Sequence, residues 1–163
     1  MTSFSAVEVY GLAEQIERNG VNYYTTAAEK AGGRLKDLLL ELAEMEADHE
    51  KTFQAMREEL NDVELSLDSA PGNQEIGAYL RAMAEGRIFD LRSDPSARLA
   101  DGSLTGQAVL RKAIDMEKDS IIFYLGLEGL VPSEKGQQQV HQIIREEICH
   151  IGMLSDQLVK HYA

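Results

Sequence analysis

Two of the four histidines in this chain stand three residues after a glutamate. Glu46 precedes His49 in MEADHEKTF, and Glu147 precedes His150 in EEICHIGML. Residues three apart share a helix face, so each pair projects from its helix together. Two further glutamates recur with a tyrosine seven residues on, Glu17 with Tyr24 and Glu117 with Tyr124. The order is a Glu, then Glu-x-x-His, then a Glu, then Glu-x-x-His. From Glu17 to Glu46 is 29 residues and from Glu117 to Glu147 is 30, so the chain reads as two similar halves. Four carboxylates and two imidazoles on apolar helical stripes cannot be buried as bare charges; they must take up protons or meet cations. Two divalent ions carry the charge that cancels four carboxylates, and neutral imidazole adds donors without charge. Oxygen and nitrogen donors without thiolate suit iron or manganese, and zinc also fits.

Helices are the elements able to hold such groups. Residues 5–31 carry Tyr10, Ala13, Glu17, Val21, Tyr24 and Ala28 on one stripe, and Gly32-Gly33 follows as a stop. Residues 34–60 carry Leu35, Leu38, Leu39, Leu42, Glu46, His49, Phe53 and Met56. The turn between these helices is short, which makes them antiparallel neighbours. Residues 61–103 are broken by Pro71-Gly72, Asp94-Pro95 and Asp101-Gly102, with one short amphipathic helix expected over 75–89. A connection so long suits a crossover along the bundle, leaving the second and third long helices parallel. The third spans 105–129 with Leu110, Ala113, Glu117, Ile121 and Tyr124 on one face. The fourth starts after Ser133, a candidate N-cap, and reaches about 161. Its apolar stripe reads Ile143, Ile144, Ile148, Ile151 and Leu154. The expected fold is all-α, a four-helix bundle with a long crossover, forming one domain over 1–163.

Composition narrows the function. The 163 residues have a net charge of −12, which repels phosphate backbones and anionic lipid and argues against nucleic-acid or membrane partners. No apolar run is long enough to span a bilayer, and the first residues have neither a basic nor an apolar signal-peptide region. The single cysteine, Cys149, forbids an intramolecular disulfide and fits a cytoplasmic protein. Cys149 is expected as a small buried residue turned away from the ligand face. His141 and His161 have no Glu three residues earlier and read as surface residues. Glu44, Glu50 and Glu146 flank the site and read as solvated, with a role for one of them in orienting a histidine left open.

At these residues the sequence resembles the rubrerythrin branch of the ferritin-like di-iron carboxylate superfamily. The resemblance covers both helix pairs and the crossover segment AYLRAMAEGRIF. It implies two metal ions per chain, iron before manganese or zinc, with Glu46 and Glu147 bridging them. Glu17 and Glu117 would be terminal ligands, His49 and His150 would each cap one metal, and Tyr24 and Tyr124 would stand beside the site. It further implies a homodimer that reduces hydrogen peroxide or dioxygen. Rubrerythrins proper carry a rubredoxin domain with paired Cys-x-x-Cys motifs, and this chain contains no such motif. Electrons would then come from a separate donor such as a rubredoxin. Rubrerythrins also carry a further carboxylate one turn beyond the third-helix glutamate, where this chain has Ser120. The alternative reading is a non-catalytic iron-handling or metal-stabilised bundle.

Overall fold

The computed structural model describes residues 5–60, 73–84, 95–100 and 104–162. Four long helices dominate: α1 (Ala6–Lys30), α2 (Gly33–Glu58), α5 (Gly106–Glu128) and α6 (Glu134–Tyr162). Between α2 and α5 lie α3 (Asn73–Ala84) and the single turn α4 (Ala97–Ala100). The short helix expected over 75–89 is thus present as α3. Residues 85–94, Pro71-Gly72 and Asp101-Gly102 lie outside the described residues.

Local chemistry sets the helix ends. At α1, the Ser5 hydroxyl accepts from the Glu8 backbone N–H at 3.3 Å, and Glu8 accepts from the Ser5 backbone N–H at 2.8 Å. This reciprocal capping satisfies two N–H groups left over at a helix start. The break between α1 and α2 falls at Ala31-Gly32, and Gly33 adopts φ 56°, a conformation that strains any residue with a Cβ. Thr105 caps α5 through the Ala108 N–H at 3.2 Å. Ser133, the candidate cap of α6, accepts from the Gly136 N–H at 3.1 Å.

Helix α1 packs mainly against α2, and α5 against α6. The buried side chains form two apolar clusters separated along the bundle. One holds Val9, Tyr10, Phe53, Met56, Phe123, Tyr124, Val140 and Ile143; the other holds Tyr23, Tyr24, Leu39, Leu42, Leu110, Ala113 and Leu154. The first cluster takes the start of α1, the end of α2, the end of α5 and the start of α6. Hence α2 and α5 run parallel, as the length of the crossover predicts. The crossover reaches from one cluster to the other: Leu80 and Met83 of α3 belong to the first, and Leu99 of α4 to the second. No helix among the described residues is long and apolar enough to cross a membrane.

Two expectations for α6 change. Ile143, Ile144 and Leu154 are buried and Ile151 is half-buried, but Ile148 is 55 % exposed. Cys149 is likewise exposed rather than buried. The inward line of α6 runs through Ile143, Glu147, His150 and Leu154. One residue turns a helix by about 100°, so 148 and 149 rotate out of that line to solvent.

Candidate metal centre

Between the two apolar clusters lies a layer of acid and imidazole. α1 contributes Glu17, α2 contributes Glu46 and His49, α5 contributes Glu117, and α6 contributes Glu147 and His150. All six are buried, with exposures of 0 to 4 %. The structure therefore brings together every ligand candidate read from the sequence.

The six fall into two overlapping groups of four. In each, one potential ligand atom per residue lies within 4.8 Å of the others: Glu17, Glu46, His49 and Glu147 in one, and Glu46, Glu117, Glu147 and His150 in the other. Glu46 and Glu147 belong to both groups, the placement that bridging carboxylates require. Both imidazoles turn Nδ1 inward. His49 Nδ1 is 3.2 Å from Glu147 Oε1 and 3.4 Å from Glu17 Oε2. His150 Nδ1 is 2.8 Å from Glu147 Oε2 and 3.1 Å from Glu46 Oε1. The rings are nearly parallel, 19° apart, with centroids 5.9 Å from each other.

Apart from these close contacts with one another, several buried atoms here point inward without a hydrogen-bond partner: Glu17 Oε2, Glu46 Oε1, both Glu147 oxygens and Nδ1 of both histidines. Buried polar atoms are normally partnered, so a cluster of orphans aimed at one space is what a cation-binding site needs. Donor set and charge fit two divalent ions.

The electrostatics show how unfavourable the cluster is without cations. Burial, reinforced by the charge of Glu147, raises the pKa of Glu17. Burial, followed by the charges of Glu117 and Glu17, raises Glu46. Burial and the neighbouring Glu46 and Glu117 push Glu147 to about 8. For His49, burial opposes the imidazolium, but contacts with Glu147 and Glu17 outweigh it and push the pKa up to about 12. His150 is also raised to about 12, since Glu117, Glu147 and Glu46 outweigh its burial. The metal-free cluster thus holds protons where a loaded one holds metal.

The two tyrosines cross the bundle. Tyr24 of α1 donates its hydroxyl to Glu117 of α5, and Tyr124 of α5 donates to Glu17 of α1. Burial and the adjacent carboxylates raise both phenols well above their ordinary range, so they remain donors. Each holds a buried carboxylate of the other half.

Other residues shape the layer. Glu146 of α6, only partly exposed, lies 2.7 Å from His49 Nε2, so of the three flanking glutamates it is the one placed to brace that ring. Glu44 is exposed, and Glu50 pairs with Arg18 at 2.6 Å. His141 and His161 lie on the surface as expected. Ser120 is buried and turns its hydroxyl back to the Met116 carbonyl at 3.0 Å. Two residues have roles that the pattern reading did not single out. Glu14 is buried and meets Arg57 at 3.0 Å. Gly20 lets Glu46 approach α1, since a Cβ there would stand 2.6 Å from Glu46 Oε2. A glycine three residues after Glu17, on the inward face of a helix, was the available signal for such an approach.

A rubrerythrin family model matches residues 8–86, the stretch containing Glu17, Glu46 and His49. Among solved structures, a protein of Thermotoga maritima described as a ferritin-like diiron-carboxylate protein superposes with a TM-score of 0.79. It shares 26 % sequence identity, over 100 % of this chain and 99 % of that one. No curated protein matches the chain.

Proposed function

Because this chain is a rubrerythrin-like member of the ferritin-like di-iron carboxylate superfamily, we propose that it binds two iron ions and reduces hydrogen peroxide or dioxygen, taking electrons from a separate donor such as a rubredoxin. The observation that carries this reading is the pair of overlapping ligand groups sharing Glu46 and Glu147. Bound iron supplies the redox chemistry: peroxide takes two electrons and two protons, its O–O bond breaks, and two waters leave.

The chain's own residues provide the setting. The apolar clusters above and below exclude water from the layer. His49 and His150 turn Nδ1 inward. Tyr24 and Tyr124 hold a proton at Oη and fix the orientation of Glu117 and Glu17. Ser120, with its hydroxyl committed to the Met116 carbonyl, supplies no carboxylate to the centre, so the ligand set rests on the four glutamates and two histidines.

Anaerobic iron-loaded, reduced protein mixed with hydrogen peroxide is expected to oxidise within milliseconds to seconds, consuming one peroxide per two electrons. Oxidation no faster than that of free ferrous ion would refute the reading. The net charge of −12 favours a second reading, in which the acidic surface gathers metal that the bundle only holds. Two ions bound per chain with no turnover, when an electron donor is supplied, would select it.

A further inference from the structure

The repeat makes His49 and His150 equivalent, yet the protein holds their outer nitrogens differently. His49 Nε2 lies 2.7 Å from Glu146 Oε2. Glu146 is itself anchored, because its Oε1 accepts from Gln142 Nε2 at 2.7 Å. His150 is fully buried, and among the described residues its Nε2 has no hydrogen-bond partner. The reason is visible in the sequence. Glu146 immediately precedes the glutamate of its Glu-x-x-His, and in the other half that position is Met45, whose thioether is at most a weak acceptor.

A ligand imidazole that gives its outer N–H to a carboxylate is fixed in one tautomer, with its inner lone pair toward the metal, and becomes a stronger donor. His49 has this support and His150 does not. We propose that the two metal positions are therefore unequal: the first divalent ion occupies the Glu17–His49 position, and the Glu117–His150 position fills second and more weakly. Glu146 is the positioning residue responsible. The inference rests on the reading of the cluster as a two-metal site.

The test uses metal-free protein titrated with Mn(II), which stays divalent during the experiment. Calorimetry is expected to resolve two binding steps differing by about 10- to 100-fold in affinity. Crystals grown at one equivalent are expected to show the Mn(II) anomalous peak beside His49. E146A should weaken the first step by about 10- to 100-fold, and E146Q, which keeps an acceptor for His49 Nε2, should recover part of that loss. Glu146 is a third exposed, so circular dichroism of both metal-free variants should match the parent. Two ions binding with one affinity, a first ion beside His150, or an E146A titration equal to the parent's would each overturn the inference. Absence of any Mn(II), Fe(II) or Zn(II) binding would instead overturn the two-metal reading beneath it.

Discussion

Replacing Gly20 by Ala separates the fold from the centre. A Cβ at this position would lie 2.6 Å from Glu46 Oε2 and 3.1 Å from its Cδ and Cγ. Ordinary contact begins at 3.4 Å, so the Glu46 oxygen must move by about 0.8 Å. In metal-free protein that movement is a side-chain rotation costing about 0.5–1.5 kcal/mol. Alanine in place of glycine within a helix returns about 0.8–1 kcal/mol. The two nearly cancel, and at about 2–4 °C per kcal/mol for a chain of this size the melting temperature should stay within about 3 °C. With metal bound, the same movement is not free. Ligand atoms must sit within about 0.2 Å of their ideal distance, and Glu46, which belongs to both candidate ligand groups, would have to meet that limit in each. Metal affinity should fall at least about tenfold, or about 1.4 kcal/mol. The assay pairs thermal melts of metal-free protein with calorimetric Mn(II) titration. Unchanged affinity would refute the argument that Gly20 exists to admit Glu46, as would a metal-free protein melting 10 °C or more lower, which would make Gly20 a packing residue.

Other outcomes follow from the same geometry. Loading both positions should raise the melting temperature by on the order of 10 °C at metal concentrations about a thousandfold above Kd; identical melts with and without metal would contradict an interior site. Glu147→Ala should abolish stable two-metal binding, read by elemental analysis. It should cost less in metal-free stability than an ordinary core deletion, because it removes one of several close carboxylates. Tyr24→Phe and Tyr124→Phe each remove the donor to a buried carboxylate and should each destabilise the protein by about 1–3 kcal/mol in denaturant titrations. Their effects should be similar, since each serves the opposite half. Arg57→Ala leaves the buried Glu14 without its 3.0 Å partner and should cost about 1–3 kcal/mol, most of it recovered when Glu14→Gln is added.

Glu-x-x-His on two helices and Glu-x6-Tyr on two others were legible because a helix converts spacing directly into direction. Residues at i, i+3 and i+7 must share a face, so the sequence alone determined that Glu17, Glu46, His49, Glu117, Glu147 and His150 line inward stripes. The Pro and Gly signals between residues 61 and 103, together with the length of that stretch, were enough to make α2 and α5 parallel. Capping chemistry at Ser133 was also readable, because it involves residues only three apart.

What periodicity left undecided was how wide each buried stripe is and what lies across from it. Ile148 and Cys149 are adjacent to inward residues in sequence but rotate to solvent, since the partner helices cover only one side of α6. The crossing of the tyrosines, Tyr24 to Glu117 and Tyr124 to Glu17, depends on α1 facing α5 across the bundle. The contrast between His49, braced by Glu146, and His150, whose outer nitrogen has no such brace among the described residues, depends instead on α2 facing α6. Contacts between residues 86 to 107 positions apart are set by helix packing, not by local spacing. Helical spacing determined which residues could share a centre; only the packing of one half against the other decided which group holds which.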